Sequence, residues 1–178
     1  MIVRLDRYDQ VEARLDSARR RLLSEIEGVD GERWTKRPSR GWCVGQAVEH
    51  LARVEAAVAA GSRRAMEKGV SAKSGPLDPL FRLLFKLGVA DLVRVRTANA
   101  LDPADPPARA DVLARLDGSR AALLAVLEDA RTRDVSRLKL AHPIFGAIPF
   151  LDMIDFVSWH EERHRRQIVR IKSEIDAR

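Results

Sequence analysis

A single cysteine, Cys43, is all the thiol this chain carries. It cannot close an internal disulfide, so the fold must rest on its core, as suits a reducing compartment. Aromatic residues are scarce, at 5% of 178 positions, and few stretches alternate apolar and polar residues as half-buried strands do, so a sheet protein is not expected. No run of about 18 uncharged apolar residues occurs, which removes a helical membrane span. The opening "MIVRLDRYDQ" carries charges where an export signal needs an apolar stretch, and the cytoplasm is therefore the expected location.

What the chain does have is Ala, Leu, Arg and Glu: hydrophobic residues make up 46% and charged residues 33%, a balance that favours helices. The length suits one domain, expected over residues 1–178. The formal charge of +6 raises the question of nucleic acid, since basic surfaces gain affinity by releasing counterions from phosphates. The distribution argues against it. Arg19 to Arg21, Arg63 to Arg64 and Arg165 to Arg166 are scattered among carboxylates on expected helix exteriors, without interleaved stacking aromatics.

Four principal helices are legible. Tyr8, Val11, Leu15, Ala18, Leu22, Ile26 and Val29 recur in steps of three and four, one face of a first helix that Gly28 and Gly31 bring to an end. "TKRPSRG" follows as a loop. A second helix begins after Trp42, with the stripe Ala47, His50 or Leu51, Val54 and Val58, and leaves through the Gly/Ser-rich "EKGVSAKSGP". A short apolar helix is expected in "DPLFRLLFKLGV", capped by Asp78 with Pro79 in its first turn. Asp105 and Pro106 repeat that signature before a third principal helix striped by Val112, Leu116, Ser119, Leu123, Val126 and Ala130. The polar "RTRDVSRLKLAHPIFGAIP" then leads into the fourth. Short connections between the first two helices, and roughly forty residues between the second and third, predict an all-α four-helix bundle with one long crossover.

The fourth helix carries the chemistry. Met153, Val157, His160, His164, Ile168 and Ile171 are spaced four, three, four, four and three, which puts both histidines on the apolar seam, while Glu161 with Arg165 and Glu162 with Arg166 form i,i+4 pairs expected in solvent. Imidazoles on a buried seam each need a partner for their ring nitrogens. Two histidines four apart converge on one spot, and neutral imidazole is a good ligand for zinc, nickel or iron; a hydrogen-bonded structural pair is the competing account. His50, on the interior stripe of the second helix, supplies a third donor, making a set of the kind that leaves a fourth position open. Cys43 cannot join it, because seven residues from His50 is two turns, about 10 Å along the axis. His142, before a proline in an expected loop, is read as a packing or hydrogen-bonding residue.

Three stretches, "GWCVGQAVEHL", "HPIFGAIPFLDMIDF" and "WHEERHRRQI", resemble in order the entry to the second helix, the segment before the last helix and the closing His-x-x-x-His with Gln of the DinB-like superfamily. This group of small helical bundles includes the YfiT-like bacillithiol transferases and the mycothiol-dependent maleylpyruvate isomerases. The resemblance implies a divalent metal, zinc or nickel foremost, on His50, His160 and His164. It implies either a low-molecular-weight-thiol S-transferase or a metal-dependent hydrolase, with a non-catalytic metal-stabilised module as the bland alternative. Cys43 stands where the family has a capping Ser; Gln46 fits the far half of a capping box, and a thiol at a helix N-terminus could be reactive or merely fill space. Trp34 and Trp42 read as packing anchors. A bound water or thiol would be acidified by the ion, but Glu49 and Glu161 point about 100° away from their neighbouring ligands around the helix, so neither is assigned as a base. The expected partner is a small substrate or thiol. The apolar "PLFRLLFKLGVADLV" could wall a pocket, fill core or pair with a second copy in a homodimer; a membrane-surface role is disfavoured.

Overall fold

The Asp6 carboxylate accepts from the Asp9 N–H at 2.8 Å and so starts the first helix, α1, over Arg7–Ile26. The computed structural model describes residues 6–69, 71–73, 101, 103, 108–142 and 145–177. The helix expected from Asp78 and Pro79, the apolar stretch 79–93 and the cap at Asp105 and Pro106 lie outside the described residues. A five-residue helix, α2 (Gly31–Thr35), follows α1 and was not legible in the sequence. It plants Trp34 in the core against Gly45, where any Cβ would lie 2.5 Å from the indole Nε1. Gly45 is thus required by close approach rather than by backbone freedom.

Helix α3 (Val44–Lys68) starts at Cys43, whose N–H donates to Gln46 Oε1 at 3.2 Å, the expected far half of a capping box. It ends at Gly69, whose φ of 59° is the left-handed cap conformation that favours glycine. Helix α4 spans Arg109–Arg131 and helix α5 Phe150–Asp176. Between them the stretch expected to be a plain lead-in forms a two-stranded antiparallel hairpin, β1 (Lys139–His142) and β2 (Gly146–Pro149), with Leu140 opposite Ile148. Strands of four residues are too short to display an alternation against background, which is why the hairpin was missed.

Helix directions follow from the cross-links. Arg7 pairs with Asp152 at one end of α1 and Glu25 with Lys172 at the other, so α1 and α5 run parallel. Tyr8 donates to the Ala130 carbonyl and Arg109 to that of Ile26, so α4 is antiparallel to α1. Arg115 meets Glu49 and, further along both helices, Arg120 meets Glu55, so α3 and α4 are parallel. Two consecutive parallel helices force the chain to travel back along the bundle, about 37 Å for a helix as long as α3. That is the physical reason for the long crossover, and the all-α four-helix bundle is the observed fold.

The expected stripes form the core: Val11, Leu15, Leu22 and Ile26 of α1 and Val112, Leu116, Leu123 and Val126 of α4 are all buried. Val29 is buried too, although it lies beyond the end of α1. Two expectations about charge fail. Arg19, read as exterior, is 7% exposed and Glu161 only 2%. Glu161 does not pair with Arg165; it accepts from Arg19 at 2.6 Å and from Arg120 at 2.9 Å. Arg165 turns instead to Glu162 and Glu25, while the expected Arg166–Glu162 pair is present at 3.4 Å. Among the described residues, no helix is long and apolar enough to cross a membrane.

Candidate metal centre

Helix α5 buries Met153, Val157, His164, Ile168 and Ile171 along one seam, with His160 half-buried on the same line. Helix α3 buries Ala47, His50, Leu51 and Val54. Where the two seams face each other the three histidines meet. One nitrogen from each of His50, His160 and His164 falls within 4.8 Å of the others, and this is the one group of metal-ligand type found among the described residues. Ring centroids lie 5.3 Å apart for His50 and His160, 4.9 Å for His50 and His164, and 4.5 Å for His160 and His164.

The outer nitrogens decide which atoms face inward. His50 Nδ1 lies 2.9 Å from the Leu101 carbonyl oxygen, which can only accept, so this nitrogen carries the proton and Nε2 presents a lone pair. His164 Nδ1 lies 2.7 Å from Gln167 Oε1, and the same reasoning leaves its Nε2 as a donor atom. His50 Nε2 and His160 Nε2 are 3.3 Å apart. Nitrogens about 2.1 Å from a common tetrahedral ion sit about 3.4 Å apart, so this edge already has the length of a shared coordination sphere. Outer hydrogen bonds that fix tautomer and ring orientation are the usual support of a ligating histidine. The i,i+3 spacing of Gln167 from His164 is the sequence signal for this bond, whereas nothing in the sequence points to Leu101.

Electrostatics favour the neutral imidazole, the form that binds metal, at His160 and His164. Burial pushes His164 down to about 3, helped by His50, against which the Gln167 hydrogen bond acts in the opposite sense. Burial, then the proximity of His164 and His50, holds His160 well below the ordinary histidine range. The walls are aromatic: Trp42 lies 4.9 Å from His50 and stacks 6.1 Å from His164, and Phe156 stacks 5.2 Å from His160. Trp34 is the packing anchor expected, whereas Trp42 packs directly on the histidines. Arg163 sits over the Trp159 ring at 5.8 Å, one helical turn beyond His160.

The other candidates fall elsewhere. His142 ends β1 rather than lying in a loop; its Nδ1 accepts from the Phe145 N–H at 3.2 Å and its ring stacks on Phe145, the packing and hydrogen-bonding role expected. Cys43 is fully buried at the start of α3 and is not part of the histidine group. Glu49 is held by Arg53 at 2.8 Å and Arg115 at 3.0 Å, and Glu161 by Arg19 and Arg120. A groove of about 510 Å³ between α3 and α4, floored by Ala52, Ala56, Ala59 and Gly118, is lined by none of the histidines.

Comparison with known proteins agrees with this fold. The chain is 24% identical over 163 residues to YuaE of Bacillus subtilis (strain 168), an uncharacterized protein, covering 90% of this chain and 96% of that one. Its backbone is similar to the crystal structure of TT2238, described as a four-helix bundle protein, with a TM-score of 0.59 at 24% identity, covering 92% of this chain and 98% of that one. The family model of the DinB superfamily matches residues 14–168, a span that runs from α1 through both histidine-bearing helices, and the chain belongs to that superfamily.

Proposed function

We propose that this protein binds one divalent metal ion, zinc or nickel, on His50, His160 and His164, and uses it as a low-molecular-weight-thiol S-transferase in the cytoplasm. The observation that carries the metal is the convergence of three imidazoles with two outer nitrogens already committed to acceptors. The donor set fits the ion: three neutral nitrogens from two rigid helices leave a coordination position for an outside ligand. Once bound, the ion would favour a thiolate over its thiol near neutral pH.

The chain's own residues support transfer over hydrolysis. Activating water calls for a carboxylate that can take a proton. Among the described residues, the carboxylates adjacent to the histidines in sequence are engaged: Glu49 by Arg53 and Arg115, Glu161 by Arg19 and Arg120. A thiol needs less help, since its proton is already acidic and can leave to solvent. The thiolate sulfur would then attack an electrophilic carbon, forming the C–S bond as the leaving group departs with its electron pair. Trp42 and Phe156 provide an apolar wall, and Arg163 adds positive charge near His160 and His164 that would favour a thiol bearing carboxylates.

Cobalt-substituted protein titrated with free cysteine as the probe thiol tests this reading. A sulfur-to-cobalt charge-transfer band that saturates with thiol is the expected result. A cobalt spectrum that cysteine leaves unchanged would contradict transfer and leave a metal-stabilised bundle without turnover.

A further inference from the structure

Arg19, Glu55, Arg120 and Glu161 form a closed ring of buried ion pairs with one member from each principal helix. Arg19 gives Nε to Glu161 Oε1 at 2.6 Å and a terminal nitrogen to Glu55 Oε2 at 2.7 Å. Arg120 gives Nε to Glu55 Oε1 at 2.5 Å and a terminal nitrogen to Glu161 Oε2 at 2.9 Å. Each of the four carboxylate oxygens meets a different guanidinium nitrogen. The third nitrogen of each arginine donates to a backbone carbonyl, Leu116 for Arg19 and Leu15 for Arg120, and Ser119 adds a bond to Glu55. The ring divides the apolar core into two clusters, since Arg19 follows Leu15 of one and precedes Leu22 of the other, and Arg120 stands likewise between Leu116 and Leu123.

The distribution of sign is informative. Both acids come from the helices that carry the histidines, α3 and α5, and both arginines from the helices that carry none. Glu161 is the neighbour of His160, and Glu55 is five residues from His50, about 8 Å along the axis. Buried ion pairs of this kind bring little net stability, because desolvation offsets attraction, and apolar residues of equal volume often serve as well. Their distinctive property is direction, because a guanidinium fork accepts a carboxylate in one plane, whereas apolar packing tolerates rotation and sliding. A rotation of α5 by about 20° would carry a nitrogen roughly 6 Å from the helix axis through about 2 Å, several times the roughly 0.5 Å tolerance of a working ligand set.

We infer that this quartet is the positioning device of the histidine centre: it fixes the rotation and height of α5 against α3, and so the convergence of His50, His160 and His164. The inference rests on the proposed metal reading for its functional meaning, but its structural content can be read without metal. The test uses the full chain with Arg19→Met, Glu55→Leu, Arg120→Met and Glu161→Leu combined, and separately Glu161→Asp, which keeps the charge and shortens one arm. The combined variant is expected to fold with a melting temperature no lower than the parent's while its cobalt affinity falls at least about tenfold and its cobalt absorption changes shape. Glu161→Asp is expected to fold and to lose severalfold in cobalt affinity. In the metal-free proteins, long-range imidazole nitrogen spectra are expected to show protonated Nδ1 for His50 and His164 in the parent and mixed tautomers in the combined variant.

Parent-like imidazole spectra in the combined variant would overturn the inference whether or not metal binds, as would, where the parent binds cobalt, parent-like cobalt affinity in either variant. A combined variant that fails to fold would also overturn it, since the quartet would then be a stability element. A parent that takes up no cobalt, with the tautomer difference intact, would instead sink the metal reading and leave the positioning role standing.

Discussion

Two polar clusters are buried within a turn or two of each other along α3 and α5. In the quartet every carboxylate oxygen faces a guanidinium nitrogen, and the arginines direct their remaining bonds to backbone carbonyls. In the triad three imidazoles face one another, like toward like, with two outer nitrogens held by acceptors and the inner ones crowded to 3.3 Å between His50 and His160. The first cluster is complete in its own atoms. The second brings three like donors to one spot, an arrangement that the proposed metal ion would complete. Buried polar groups are normally satisfied, and the contrast is between charges closed on one another and like donors converging on one point, which is where the proposed binding role lies.

The most disruptive way to break the comparison is to unbalance the quartet. Glu161→Leu alone leaves two buried guanidinium groups sharing one carboxylate, and should cost about 3–5 kcal/mol of unfolding free energy, measured by urea denaturation of the metal-free protein. A loss under about 1 kcal/mol would mean that water already compensates the ring.

A smaller change sharpens the contrast from the other side. Gln167→Ala removes the acceptor that orients His164, and should weaken metal binding about 10- to 100-fold, about 1.4–2.8 kcal/mol, while leaving the metal-free melting temperature within a degree or two. Competition titration against a chelator reads the affinity. Equal affinity would show that His164 needs no outer partner.

A third probe is pH. Burial holds His164 down to about 3 and His142 down to about 4, so the folded chain keeps them neutral where the unfolded chain, with the ordinary value of 6.5, takes up protons. Their effect on stability is therefore nil above about 6.5 and grows as the pH falls from there towards 4, by at most about 1.4 kcal/mol per pH unit for each histidine. Denaturation of metal-free protein at pH 7 and pH 5 should show this loss, and His142→Phe should remove the share due to His142 while leaving that of His164. A stability that does not change between these two values would contradict the burial of both rings.

The fold and the triad were legible in the sequence because they follow periodicity. The seam through Met153, Val157, His160, His164 and Ile168 is regular enough to place two histidines inside, and the long gap between α3 and α4 announced the crossover. The quartet was not read, for a reason that lies in residue type. Leu15, Arg19 and Leu22 are spaced four and three, Leu116, Arg120 and Leu123 likewise, and Ile154, Glu161 and Ile168 by sevens, as regular as the histidine seam. Charge on a helix reads as a sign of solvent, although a buried partner on another helix offsets the cost of burial. The hairpin and α2 were hidden for the opposite reason, since four or five residues carry too little period to detect. Gln167 stood in plain view, but the direction of its side chain is a property of the packed bundle.

The central claim is that the triad holds an ion, and the most direct test is metal content. The protein, purified without a histidine tag and reconstituted with zinc or nickel, would be analysed by inductively coupled plasma mass spectrometry beside His164→Ala. The account predicts close to one equivalent in the parent, and in the variant a loss beyond the about 100-fold ceiling of an outer-partner change. A reconstituted parent that takes up no metal would contradict it, and His50, His160 and His164 would then be a histidine cluster serving only the packing of α3 on α5.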